Sequence, residues 1–226
     1  ASTAESLAIM DATALTAMRT GAAAAVATEA CLERAPESLG IVGAGVQGRA
    51  LIDAHRALWP DVPVRVCDVD PARAEALASA VHGQAVDLAM CAGADVVCTA
   101  TPARKPILTA AELEGCAHIN AMGADAEGKQ ELATDVVTSA WTIVDSIDQA
   151  SHSGEINVPL HDKAITVDQL GGRLGDVILG HIKRPADAVR SLFDSTGLAI
   201  QDLALASAIY EAAEAQDRGQ VFDFSA

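Results

Sequence analysis

The sequence predicts an α/β fold, a doubly wound parallel sheet, and three features carry that expectation. Short apolar runs of strand length alternate with helical segments from residue 39 onward. The runs are of the buried type, rich in valine, isoleucine and alanine, as strands covered by helices on both sides are. A glycine-rich turn, Gly43-Ala44-Gly45-Val46-Gln47-Gly48, joins the first run to the helix behind it.

Taken in order, Asp11 is an N-cap for an alanine-rich helix running to Arg34. Leu39 to Val42 is a strand and Val46 to Trp59 a helix. Val62 to Cys67 is a second strand, set off by the breakers Pro60 and Pro63. Pro71 opens a helix that continues from Ala72 to Val81. Ala94 to Ala100, Cys116 to Ala121 and Trp141 to Val144 are further buried-type strands. Past Asp145 the pattern weakens into glycine-bearing loops, until Leu198 to Gln216 reads as an amphipathic helix with Leu198, Leu203, Ala206, Ile209, Tyr210 and Ala213 on its apolar stripe. The chain shows no internal repeat and no low-complexity linker.

With 226 residues, 50% of them hydrophobic and 20% charged, the chain suits one large or one and a half ordinary domains. Fifteen basic against 31 acidic side chains give a formal charge of -16, so the overall field repels phosphate backbones and anionic lipid. Nucleic acid and membrane surfaces are therefore excluded as default partners. The longest unbroken apolar stretch, Ala22 to Ala27, falls far short of the roughly 18 residues of a membrane span, and no charged segment with a cleavage site opens the chain. A cytoplasmic location is expected. Cys31, Cys67, Cys91, Cys98 and Cys116 lack C-x-x-C spacing and lie in apolar or helical contexts, which points to small core residues and not to disulfides or zinc. The six histidines are scattered without metal-ligand spacing, so no metal is expected.

The glycine turn gives the first functional expectation. Gly43 permits the tight turn, Gly45 lets a pyrophosphate approach the backbone, and Gly48 lets helix and strand pack closely. The amides of Gly45, Val46 and Gln47 then face an anion at the positive end of the helix dipole. Asp68 ends the second strand, where a carboxylate accepts both hydroxyls of an adenosine ribose and repels a 2'-phosphate. The reading is a Rossmann-type nucleotide site that prefers NAD to NADP, built from Gly43, Ala44, Gly45, Val46, Gln47, Asp68 and Val69. A second candidate, Asp125, follows the strand ending at Ala121. It is either an acid exchanging a proton during imine chemistry or a turn former between Gly123 and Gly128.

Five segments carry a resemblance. They are Ala17-Met18-Arg19-Thr20-Gly21-Ala22-Ala23, the Gly43 to Arg49 turn, Cys98-Thr99-Ala100-Thr101-Pro102, His118 to Leu132 (HINAMGADAEGKQEL) and Phe193 to Ala204 (FDSTGLAIQDLA). In this order, over essentially the whole chain, they resemble the ornithine cyclodeaminase/mu-crystallin family, and the last two look most like its archaeal-type alanine dehydrogenase branch. The resemblance implies a dimeric, two-domain, NAD-dependent oxidoreductase that moves hydride from the α-carbon of a small L-amino acid, or in reverse to an imino acid. It implies that Arg19 binds the substrate carboxylate, a match that two parallel guanidinium hydrogen bonds explain. Thr20 would meet a cofactor phosphate, Asp125 would be the acid/base, Thr99, Ala100 and Thr101 would line the nicotinamide ribose, and Ser195 to Gly197 would close over the nicotinamide end. Residues 1-22 would then be a remnant of a substrate and dimerisation domain, 23-200 the nucleotide domain, and 201-226 a helix returning to the first.

Ornithine cyclodeaminase, ketimine reductase and a crystallin-like nucleotide-binding protein without turnover are the alternatives the same resemblance offers. Two departures stand out. Family members carry a substantial segment ahead of the Arg-Thr motif that supplies a lysine to the substrate carboxylate, whereas no lysine occurs here before Lys105. The expectation is a truncated chain or a shortened relative. Ala188-Val189-Arg190-Ser191 also replaces an acidic, threonine-bearing run, for which no physical account is at hand. Lys129 could pair with Asp125 or Glu131 but is expected on a solvated turn, and Glu155 resembles a loop glutamate of the family.

Overall fold

The residues that avoid water most completely make the middle of one sheet. Every residue of Leu39–Val42 (β1), Val96–Thr99 (β4), His118–Ala121 (β5) and Ser191–Asp194 (β8) is buried. Val64–Cys67 (β2) and Trp141–Val144 (β6) flank them, and the two-residue strands Gln84–Ala85 (β3) and Gly172–Arg173 (β7) form the edges. In this computed structural model, which describes residues 6–32 and 34–222, the order is β3-β2-β1-β4-β5-β8-β6-β7, and all seven pairings are parallel. The expected doubly wound α/β fold is what the chain adopts. The order reverses between β1 and β4, and the crevice beyond their carboxyl ends is where such sheets hold ligands.

The long helices are Ala12–Cys31 (α1), Val46–Leu58 (α2), Pro71–Ala80 (α3) and Ala199–Ala215 (α9). Between them lie the shorter Leu88–Ala92 (α4), Thr134–Ser139 (α5), Ile147–Ser153 (α6), Asn157–His161 (α7) and Leu174–Ile178 (α8). Asp11 caps α1 and Asp70 caps α3 as their side chains accept from Thr13 and Ala72 N–H. Helix α1 ends at Cys31 and not at Arg34, because Leu32 N–H closes onto Thr28 O; Glu33 lies outside the described residues. All five cysteines are buried thiols, and no described helix is long and apolar enough to cross a membrane.

Three expectations need correction. β8 falls where loops are expected; Ser191 and Asp194 break the apolar pattern of a four-residue strand, and only its pairing between β5 and β6 makes it central. The strands expected at Val62 and Cys116 begin two residues later, since Val62 and Cys116 N–H are used in turns by Trp59 and Leu113 carbonyls. In α9 no residue is fully buried and Leu203 is 60% exposed. The half-covered side carries Leu205, Ala206, Ile209, Tyr210 and Ala213, while Leu198 is the N-cap.

Helix α1 is seated by two devices. At Gly21 it crosses α2 so closely that a side chain would run into the Ala50 carbonyl. A buried polar seam then ties it to the sheet. His55 Nδ1 lies 2.7 Å from Leu51 O and Nε2 lies 3.0 Å from Thr28 Oγ1; Asn120 Nδ2 donates to Thr28 Oγ1, and His118 bridges Asn120 Oδ1 and Ser191 Oγ. Burial pushes His55 down to about 4 and His118 to about 3, so both rings are neutral. A carbonyl only accepts, so His55 Nδ1 carries its proton, and Nε2 shares the single hydroxyl proton of Thr28 with the Ala24 carbonyl, each 3.0 Å from Oγ1. Asn120 Oδ1 accordingly accepts from His118 Nε2–H, and Ser191 donates to Nδ1. The seam joins α2, α1, β5 and β8.

Candidate functional site

Gly43 has φ +111°, and a Cβ there would sit 2.5 Å from Ala100 O, so the β1–α2 turn is restricted to glycine by both conformation and space. At Gly48 a side chain would collide with the Gly43 carbonyl. Gly45 is the N-cap of α2 with no side-chain cap, which leaves the first-turn amides of Val46 and Gln47 open to an anion at the positive helix end. Ala44 serves differently, as its N–H donates 2.7 Å to Asp68 Oδ2.

Asp68 stands just past the end of β2. Burial raises its pKa, but hydrogen bonds from Asp70 and Ala44 N–H and the charge of Arg73 outweigh that and hold it below the ordinary value. A cleft of about 800 Å³ opens here, lined by Gly43, Gly45, Asp68, Val69, Arg73, Ala100 and Thr101 among others. It is large enough for the nucleoside half of a dinucleotide. The uncapped amides, the glycine surface and the carboxylate at the cleft fit such a ligand.

The second half of the site is built on buried acids. Glu131 accepts from Thr99 Oγ1, from Thr101 N–H and Oγ1 at 2.7 Å each, and from Gly123 N–H at 2.9 Å. It thereby holds the loops after β4 and β5 together. The hydroxyls of Thr99 and Thr101 point to this carboxylate, and Thr99 is fully buried. Glu155 accepts from the N–H groups of Glu131 and Leu132, and Asp194 from that of Ile156. Burial pushes Glu131 up, and Glu155 well up with help from the charges of Glu131 and Asp194. Asp145 takes Ser195 Oγ, Thr196 N–H and Oγ1, and Gly197 N–H, fixing the loop after β8.

Arg19 reaches that loop from α1. Its side chain is 16% exposed, pairs with Asp202 at 3.2 Å and lies against Gly197. Thr20 beside it is buried. Asp125 is exposed in a turn, its N–H donating to Gly123 O, and its carboxylate pairs with Lys129. Lys129 is thus not on a solvated turn, being only 12% exposed. Among the described residues no hydrogen bond or ion pair joins Asp125 to Arg19, and no three metal-ligating side chains gather. The sequence reading missed Glu131, Asp145 and Asp194. Asp145 follows the apolar strand Trp141–Val144, the same signal that singled out Asp68.

A parallel sheet with a glycine turn after β1 and a carboxylate after β2 defines the dinucleotide-binding class of α/β folds. Residues 1–217 match the sequence model of the ornithine cyclodeaminase/mu-crystallin family, and the chain belongs to that family. It is 37% identical over 225 residues to alanine dehydrogenase of Archaeoglobus fulgidus, covering 96% of this chain and 70% of that protein. Among solved structures, an archaeal alanine dehydrogenase dimer with bound NAD superposes with a TM-score of 0.92 at 37% identity, covering 99% of this chain and 72% of the other. Iminosuccinate reductase of Paracoccus denitrificans with NAD+ gives 0.86 at 31% identity, over 94% and 67%. The chain spans 67% to 72% of the length of these relatives.

Proposed function

We propose that this protein is an NAD-dependent oxidoreductase acting at the α-carbon of a small L-amino acid, by oxidative deamination or, in reverse, by reduction of the imino acid. The observation that carries the reading is the cleft in which Asp68, tied to the Ala44 amide, faces the glycine turn. The NAD-bound relatives at 37% and 31% identity support it. Bound NAD supplies the hydride acceptor or donor. Gly43, Gly45, Val46 and Gln47 hold the pyrophosphate, Ala44 holds Asp68 in place, Asp68 and Val69 take the adenosine ribose, and Thr20 meets a cofactor phosphate. Thr99, Ala100 and Thr101 with Ser195 and Gly197 bound the nicotinamide end, with Glu131 and Asp145 fixing those loops. Arg19 holds the substrate carboxylate, and Asp125 exchanges the proton as water adds to the imine.

The reading includes a homodimer, supported by the dimeric archaeal neighbour and by exposed Met18, Val26, Ile200 and Leu203 on α1 and α9. It also includes residues 1–22 and 201–226 as parts of a substrate and dimerisation unit around a nucleotide domain of residues 23–200, and a cytoplasmic location that five unpaired thiols suit. The test is incubation of the intact protein with NAD+ and L-alanine, with accumulation of NADH and pyruvate as the expected result. Conversion of L-ornithine to proline without net NADH would assign the cyclodeaminase reaction instead. NADH binding with turnover of neither would leave a nucleotide-binding protein.

A further inference from the structure

We infer that the first turn of α9 is a clamp for Arg19, in which Asp202 and Gln201 are positioning residues that set how the guanidinium meets a carboxylate. The inference rests on Arg19 as the carboxylate ligand proposed above and adds the residues that make its geometry selective.

A guanidinium on a flexible stem must be fixed in plane and in rotation before it offers two parallel hydrogen bonds. Here both are fixed. The plane is limited by Gly197: a Cβ on that residue would come within 2.5 Å of Arg19 Nη1, 2.9 Å of Nη2 and 3.0 Å of Cζ, so the guanidinium packs against the glycine in the space a side chain would take. That surface is itself rigid. Gly197 N–H donates to Asp145 Oδ2 at 2.6 Å, its carbonyl accepts from Gln149 Nε2 at 2.7 Å, and its φ of +79° excludes a side chain on conformational grounds as well.

Rotation within the plane is set by α9. Nε donates to Asp202 Oδ1 at 3.2 Å and Nη1 donates to Gln201 Oε1 at 3.4 Å. Gln201 Oε1 also accepts the N–H of Leu198, the N-cap, which holds the amide oxygen in place. Nη2 has no protein acceptor among the described residues, so the Nη edge remains for a ligand. Asp202 offsets the charge of Arg19, and this changes what the site selects. Binding depends on two directed N–H groups rather than on bare positive charge, which favours a planar carboxylate over a compact anion. The helix that carries the clamp begins directly after the Ser195–Gly197 loop, so loop and clamp are continuous in the chain.

The test uses pyruvate as the probe, measured by calorimetry with the NADH-loaded intact protein, together with kcat and KM for L-alanine. Asp202→Ala is expected to weaken pyruvate binding and raise KM about tenfold, with kcat within about twofold and NADH affinity unchanged. Asp202→Asn keeps an oxygen acceptor for Nε, and is expected to restore pyruvate affinity to within about threefold of the parent. Rescue by asparagine separates positioning from mere docking of α9, which thermal melting of both variants monitors. If Arg19→Ala weakens pyruvate binding while Asp202→Ala leaves it unchanged, the clamp is overturned and the role of Arg19 stands. Equal weakening by Asp202→Asn and Asp202→Ala overturns the clamp too. If Arg19→Ala leaves pyruvate affinity intact, or the parent protein binds no pyruvate, the carboxylate role of Arg19 falls and the clamp with it.

Discussion

Glu131 Oε1 accepts hydrogen bonds of 2.7 Å from both the backbone N–H and the hydroxyl of Thr101, while its other oxygen takes Thr99 and Gly123. One buried carboxylate thus fastens the loops after β4 and β5 at the crevice where the strand order reverses. Asp145 does the same for the loop after β8. Loops that must approach a cofactor with their backbones cannot be held by packing from above, so buried acceptors hold them from below.

Replacing Glu131 by alanine leaves four donors without their acceptor, each costing about 1–3 kcal/mol when buried and partly relieved by water. The expected outcome for Glu131→Ala is a loss of roughly 3–5 kcal/mol of stability, with weaker NADH binding in whatever fraction remains folded. Denaturant unfolding with a parallel NADH titration checks it. Unchanged stability would mean that the loops after β4 and β5 are held by something other than this carboxylate.

Asp68 gives the cofactor prediction. Its carboxylate is kept ionised by Asp70 and Ala44 N–H and by Arg73 despite partial burial, so a 2'-phosphate placed beside it meets a like charge. NADH is expected to bind on the order of 10²-fold more tightly than NADPH, and Asp68→Ser to narrow that ratio by at least about tenfold. Calorimetric titration of both cofactors decides. Tighter binding of NADPH by the parent protein would point to Arg73 as a phosphate ligand and remove Asp68 from its assigned role.

The nucleotide half of this architecture is legible in the sequence because its signals are local. Gly43, Gly45 and Gly48 sit within one turn, and Asp68 stands just beyond an apolar strand. The other half is assembled from distance. β8 becomes a strand only by pairing with β5 and β6, and its Ser191 and Asp194 hide the apolar pattern. Glu131 looks like part of a polar run from Glu127, and nothing nearby shows that Thr99, some thirty residues back, is its partner. Likewise the apolar stripe expected on α9 ignores that Gln201 and Asp202 face Arg19, more than 180 residues away along the chain.

Stability should fall as pH rises through the weakly acidic range. Burial, with the charges of Asp145 and Glu131 adding, pushes Asp194 from 3.8 up to about 7 against the backbone N–H groups of Glu155 and Ile156. Between these values the folded chain keeps a proton that the unfolded chain has lost, so each pH unit of increase costs up to about 1.4 kcal/mol for this group. Glu155 and Glu131 are raised too and act in the same direction. In Asp194→Asn the slope of Tm between about pH 5 and 7 is expected to be clearly shallower than in the parent. Parallel slopes would remove Asp194 as the source of the effect.

Asp125 and Arg19 should part in their kinetics. Asp125→Asn keeps the size of the side chain and its place in the turn but removes the acid, so kcat is expected to fall by roughly 10²-fold or more with NADH affinity nearly intact. Arg19→Ala is expected chiefly to raise KM, because the carboxylate contact is present in the ground state and the transition state alike. An Asp125→Asn protein with near-normal kcat would make this residue a turn former whose N–H meets Gly123 O. Glu155 offers no substitute, since both its oxygens accept backbone N–H groups beneath the site. The proton would then have to pass through Lys129, whose ammonium is mostly covered and already rests on Asp125, and Lys129→Met would be the variant that loses kcat.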